Sequence, residues 1–254
     1  MSVPFIDLKS QYADLSDSIR KGIDAVLNHG KYVMGPEVVE LESQLATMGN
    51  TKHVLSCSSG TDALVIALMA YGVGPGDAVF TSPFTFVATA EAIVTVGATP
   101  VFVDIDENTL NIDTKKLADA VVRVEEEGNL KARGIMPVDI FGLPADYHVV
   151  AECAKRHDLF VIGDGAQSMG SLYKGRPSAS YPDVWTTSFF PAKPLGCYGD
   201  GGAVFTNNDE LIEIFRSIRV HGKGATKYDT VRLGLNGRLD TIQAAVLLAK
   251  LPRF

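Results

Sequence analysis

Residues 53–72, HVLSCSSGTDALVIALMAYG, decide the fold. The first five are a short apolar run of strand length. The rest reads as a helix entered through Ser58, Ser59, Gly60 and Thr61. The same strand-then-helix unit recurs outward from it. Strands are expected at 78–82 (AVFTS), 100–106 (PVFVDID), from 134 (GIM), and at 159–164 (LFVIGD), 184–190 (VWTTSFF) and 202–206 (GAVFT). Helices are expected at 86–96, in NIDTKKLADAVVRVEEEG, in ADYHVVAECAKRHD and in DELIEIFRSIRVHG. Strands alternating with helices give an α/β domain with a mostly parallel sheet and helices on both faces. In such sheets ligands bind beyond the carboxyl ends of the strands.

Composition narrows the function classes. The chain has 254 residues, is 46% hydrophobic and carries a formal net charge of −7. A core of domain size is available, and no apolar run approaches the roughly 18 residues of a membrane span. The acidic balance argues against a general nucleic-acid or anionic-membrane binder, because both want a basic face. MSVPFIDLKSQY has acids and no long apolar centre, so it does not read as a signal peptide. Cys57, Cys153 and Cys197 are scattered, with neither a metal-type pair nor a disulfide framework, which suits a cytosolic protein. Residues 1–50 read as an N-terminal helical segment and 51–254 as the α/β domain. The chain stops within LLAKLPRF, inside what reads as a continuing helix, so a further C-terminal part is expected.

Four stretches follow strands. SSGTDAL opens a helix, and a helix start suits a phosphate, although an ordinary N-cap reads the same way. SPFTFVATAEA offers Phe84 and Phe86, one of which could stack on a flat ring, although core packing is the usual use of a Phe. VIGDGAQS ends a strand on Asp164, a carboxylate near a buried environment that needs a partner; Gly163 and Gly165 leave room for something bulky beside it. SFFPAKPLGCYGDGG holds Lys193 between two prolines, with Ser188 five residues earlier and a glycine cluster after it. A phosphate cradle, a ring stacker, a buried aspartate and a framed lysine are together the demands of pyridoxal 5′-phosphate (PLP). The lysine forms a Schiff base, and the aspartate keeps the ring nitrogen protonated. A nicotinamide-binding fold is disfavoured, since CSSGTDAL lacks the GxGxxG fingerprint.

The order GTDAL, SPFTFVATAEA, DGAQS, SFFPAKPLGCYGDGGA and NGRLDTIQAAVL resembles the DegT/DnrJ/EryC1/StrS sugar aminotransferases, fold-type I PLP enzymes of aspartate aminotransferase-like, three-layer architecture. GKYVMGPEVVELE resembles the branch that aminates UDP-2-acetamido-3-oxo-glucuronic acid in O-antigen synthesis. The resemblance implies that Lys193 is the Schiff-base lysine and Asp164 the partner of the ring nitrogen. It gives Gln167 to the ring hydroxyl, Phe86 to the ring face, and Gly60, Thr61 and Ser188 to the phosphate. Asn236 would reach the phosphate of a neighbouring subunit, implying a homodimer with a shared site. His221 and Arg238 lie on segments similar to substrate-side loops. No metal, nucleic acid or membrane is implied. Gly163 and Gly165 depart from the family, which often has Glu and Ala there. The resemblance implies transamination from an amino acid such as glutamate to a nucleotide-linked keto-sugar in the cytoplasm. The alternative is a PLP- or sugar-nucleotide-binding chain without turnover, since relatives continue into a smaller C-terminal domain.

Overall fold

The computed structural model describes residues 5–226 and 228–254. The first four residues of the stretch read as no signal peptide lie outside them. A seven-stranded sheet has the order β1 (His53–Cys57), β9 (Gly202–Thr206), β8 (Val184–Ser188), β5 (Phe160–Asp164), β4 (Lys131–Met136), β2 (Asp77–Thr81), β3 (Thr99–Phe102). All neighbours from β8 to β3 pair in parallel, while β9 runs antiparallel to both β1 and β8. The sheet is therefore mostly parallel, with one reversed strand. Because β9 reverses twice, β1 points the same way as β8. The carboxyl ends of β1, β8, β5, β4 and β2 all lie along one edge.

Side chains alternate across the strands and split the core in two. Val79, Ile162, Val184 and Val204 pack with α3 (Gly60–Ala70), α4 (Ala88–Thr95) and α7 (Asp209–Arg219). Trp185 and Phe205 pack on the other face with α2 (Pro36–Gly49) and α8 (Thr241–Lys250). Phe80 and Val161 share that face with α5 (Thr114–Glu127) and α6 (Tyr147–Arg156). Helices thus cover both faces. α3 is buried from Ala63 through Leu68, which explains why its sequence is apolar all round. α7 is amphipathic: it buries Leu211, Ile212, Phe215 and Ile218, begins with acids and ends with basic residues that complement its dipole. α1 (Leu8–His29) and α2 lie on α8, so the N-terminal helices belong to the same packed body.

The strand expected at 184–190 stops at Ser188, and two further local features depart from expectation. The strand expected at 100–106 stops at Phe102, because Asp106 accepts the Asn108 and Thr109 amides and turns the chain there. A short hairpin, β6 (Leu172–Tyr173) with β7 (Arg176–Pro177), was not expected. Its two turn residues, Lys174 and Gly175, both have positive φ, as a two-residue hairpin turn requires.

Candidate active site

Asp164 ends β5 with 7% of its surface exposed. It shares the Ile162 side of the strand, toward α4. There Thr89 Oγ1 donates to its Oδ2 at 2.7 Å, and the Ala166 amide donates to Oδ1 at 3.2 Å. Thr85, 2.7 Å from Thr89 Oγ1, extends the chain of hydroxyls. Burial pushes the Asp164 carboxyl upward, while Thr89, the Ala166 amide and the charge of Lys193 pull it back. Lys193 is half-buried. Desolvation pulls its amine down and Asp164 opposes the fall. Each charge therefore opposes the cost of burying the other, Asp164 at the end of β5 and Lys193 on the loop after β8. A buried acid that a lysine and a hydroxyl draw back toward its charged form, near an amine that burial draws toward its neutral form, can do proton and nucleophile chemistry.

The floor under Asp164 comes from the opposite face of the sheet. A Cβ on Gly163 would lie 2.5 Å from Tyr147 Oη, and one on Gly165 would lie 2.0 Å from the Trp185 ring. The bulky groups that these glycines admit are thus Trp185 and, at Gly163, the Tyr147 hydroxyl. Beneath the turn sits Asp139, fully buried, accepting from the Ala145 amide, Tyr147 Oη, Ser168 Oγ and Trp185 Nε1. Its backbone continues the ladder, with Asp139 N–H donating to Asp164 O at 3.0 Å. Burial outweighs these four donors and pushes the Asp139 carboxyl up to about 6.

The expected phosphate cradle is formed where three segments meet. Ser59 caps α3, its Oγ accepting from the Asp62 amide at 3.0 Å. Its carbonyl takes the Ala63 amide, which leaves the Gly60 and Thr61 amides as the helix-start donors. A Cβ on Gly60 would lie 2.7 Å from Ser188 Cβ, and one on Gly202 would lie 2.3 Å from Ser59 O. Only glycine lets the helix start approach the β8 end this closely. Gly237 O accepts from Ser58 N at 3.1 Å, bringing the 236–238 segment alongside. Positive helix-end amides beside a serine hydroxyl suit a phosphate dianion, and the Asp164–Lys193 pair suits a cationic ring with an aldehyde. The residues present fit PLP.

Of the expected site residues, the structure brings Gly60, Thr61 and Ser188 together, and Asp164 with Lys193. Phe86 stands 70% exposed at the entry to α4, beside Phe84, whose ring meets Phe141 edge-on. Gln167 is exposed on the turn after Asp164. Asn236 is exposed and accepts from Arg238, which makes no ion pair among the described residues. Antiparallel bridging of Val220 with Asn236 sets His221, exposed and at positive φ, near this segment. Sequence reasoning missed Thr89. Its signal was the pair of threonines just beyond a strand, Thr85 before α4 and Thr89 in its first turn. It missed Asp139 altogether.

Comparison with known proteins bears on what this arrangement is. A model of the DegT/DnrJ/EryC1/StrS aminotransferase family matches residues 13–254. The UDP-2-acetamido-2-deoxy-3-oxo-D-glucuronate aminotransferase of Pseudomonas aeruginosa is 50% identical over 99% of this chain and 68% of its own length. A crystal structure of a DegT/DnrJ/EryC1/StrS aminotransferase from Brucella abortus superposes with a TM-score of 0.97 at 49% identity, over 99% of this chain and 67% of that one. NtdA from Bacillus subtilis, solved with its cofactor PMP bound, superposes with a TM-score of 0.90 at 32% identity, over 98% of this chain and 56% of that one. The chain spans about two thirds of the length of the curated relatives it matches most strongly. It belongs to the DegT/DnrJ/EryC1/StrS aminotransferase family.

Proposed function

We propose that this chain is the cofactor-binding body of a PLP-dependent aminotransferase acting on a nucleotide-linked keto-sugar. The observation that carries the reading is the placement of Asp164 and Lys193: a buried acid at the end of β5 and a half-buried amine on the loop that follows the adjacent parallel strand β8. PLP, when bound, supplies an aldehyde carbon that takes up an amine and a ring that accepts an electron pair. Lys193 is the residue whose amine would hold that carbon. With its amine lowered by burial, it also carries a proton to and from the neighbouring substrate carbon. Asp164 holds the ring nitrogen protonated, and Thr89 keeps the carboxylate aimed and charged. Gly60, Thr61 and Ser188 bind the phosphate, Phe86 covers one ring face, and Gln167 contacts the ring hydroxyl.

The substrate class is a UDP-linked 3-oxo sugar acid, a reading supported by 50% identity to the Pseudomonas aeruginosa relative; the reaction belongs to surface polysaccharide synthesis and takes place in the cytoplasm. Glutamate is the amino donor. Asn236 reaches the phosphate of a second copy, so the working form is a homodimer. His221 and Arg238 face the sugar nucleotide.

The test is the visible absorption of the PLP-loaded protein before and after glutamate, for wild type and Lys193→Ala. A wild-type cofactor band that fades with glutamate, and a variant that shows no such change, support the reading. A Lys193→Ala protein that turns over at the wild-type rate overturns it.

A further inference from the structure

The stretch RLDTIQAAVL left α8 without a part in the chemistry. We propose that α8 clamps the loop that carries Lys193, with Gln243 and Lys250 as positioning residues that fix where the Lys193 amine sits. This rests on reading Lys193 as the cofactor lysine.

Gln243 and Lys250 lie seven residues apart, on one face of α8. Gln243 grips Tyr198 twice: Oε1 accepts its amide at 2.8 Å and Nε2 donates to its carbonyl at 3.3 Å. Lys250 Nζ donates to Gly196 O at 2.6 Å and stands 4.3 Å from the centre of the Tyr198 ring. Lys250 is only 4% exposed, and among the described residues no carboxylate lies within ion-pair distance of it. A buried ammonium without a counter-ion is costly. Here one carbonyl and one ring face take its place, and both belong to the Lys193 loop.

The loop transmits the grip. Cys197 N–H donates to Phe189 O at 2.8 Å, Phe189 N–H to Gly201 O at 2.7 Å, and Lys193 N–H to Phe190 O at 2.8 Å. A Cβ on Gly196 would lie 2.4 Å from Pro191 O, so the turn has no slack. Fixing Gly196 and Tyr198 therefore fixes the backbone at Lys193. Burial pulls the Lys250 amine down, and the buried Cys197 thiol acts on it from the loop. Asp14 of α1 and Arg253 of the terminal turn line the cleft beside it, while Tyr12 of α1 meets the Tyr198 ring edge-on.

The consequence falls on the Lys193 amine. It is held low because the loop keeps it half out of water. A loosened loop admits water, and the amine returns toward its ordinary value.

The experiment is competitive acetylation of the 254-residue chain with acetic anhydride across pH, read lysine by lysine by mass spectrometry. It compares wild type with Lys250→Met, Lys250→Arg and Gln243→Ala. The clamp predicts that the Lys193 profile moves to higher pH in Lys250→Met and Gln243→Ala, returns toward wild type in Lys250→Arg, and that exposed Lys52 is unmoved. PLP affinity falls with it, by about tenfold, equivalent to ~1.4 kcal/mol. A fold that is merely weakened shifts its urea midpoint without moving the Lys193 profile. If Lys250→Met does not fold, Gln243→Ala carries the same expectation. Lys193 profiles that superimpose on wild type in the folded variants overturn the clamp. Borohydride mapping of PLP on the same wild-type sample judges the cofactor reading separately. There, absence of label on Lys193 removes that reading, and the acetylation profiles still decide the clamp.

Discussion

Asp139→Asn tests how the site's floor is held. Asp139 is fully buried with four donors around it, and its carboxyl is pushed up from 3.8 to about 6. The native state therefore binds a proton at Asp139 more tightly than the unfolded chain does. Stability from this group is complete below the unfolded value and is lost as pH rises through the folded one. The window runs from about 4 to about 6, and the loss is roughly 2.2 × 1.36, or about 3 kcal/mol. Ser168 makes protonation tolerable. Its hydroxyl, 2.7 Å from Asp139 Oδ2, can accept the proton and turn its own hydrogen toward Gly165 O at 3.5 Å. Asparagine cannot ionise. It carries a constant penalty, because its amide faces the Trp185 N–H that the carboxylate accepted. The assay is urea unfolding of wild type and variant at pH 4, 5, 6 and 7. The difference in unfolding free energy should shift by about 2.4 kcal/mol in the variant's favour between the ends of that range, since part of the loss has already occurred at pH 4. A difference that stays constant with pH would refute the reasoning, because Asp139 would then titrate as it does in the unfolded chain.

Three further outcomes follow from the geometry. Gly165→Ala places a methyl 2.0 Å from the Trp185 ring and should cost about 3 kcal/mol in urea unfolding; in a Trp185→Leu background the same change should cost under about 1 kcal/mol, a coupling that a double-mutant cycle reads. Thr89→Val removes the 2.7 Å hydrogen bond to the Asp164 carboxylate, worth about 1.5–3 kcal/mol, and should weaken PLP binding at least tenfold by titration, with Thr89→Ser restoring it. Gly60→Ala sets a Cβ 2.7 Å from Ser188 Cβ, where ordinary contact needs about 3.5–4.0 Å; the helix start must retreat by nearly 1 Å, so PLP affinity should drop about a hundredfold while the melting temperature barely changes.

The strand–helix alternation was legible because each strand's burial shows as an apolar run and each helix carries caps or a 3.6-residue stripe. Strand 202–206 matched β9 in full, yet its antiparallel direction could not be read, since period-2 apolar residues look the same either way. The stretch 100–106 misled because Val101 and Val103 continue a strand pattern that the Asp106 turn ends early. In the site, Asp164 and Lys193 stood out through their frames: a charged residue at the end of an apolar strand, and a lysine between prolines. Thr89 and Asp139 did not stand out. A threonine in a first helical turn and an aspartate after a strand are common, and what distinguishes them is a partner 75 residues away in one case and four donors from three separate segments in the other. Gly163 and Gly165 read as departures from the family that leave room for something bulky. What fills that room is the Trp185 ring on the reverse face, 20 residues downstream of Gly165 and on another strand, with the Tyr147 hydroxyl of α6 beside Gly163.

The measurement that bears most directly on the central claim is the position at which PLP attaches. Equimolar PLP is added, the lysine–PLP C=N bond is reduced by borohydride to a stable secondary amine, and labelled peptides are mapped for wild type and Asp164→Asn. The account predicts label concentrated on Lys193 in wild type, although the other lysines outnumber it, and a marked loss of that selectivity in Asp164→Asn. Label spread over exposed lysines such as Lys52 and Lys116, with Lys193 no more modified than they are, would contradict it.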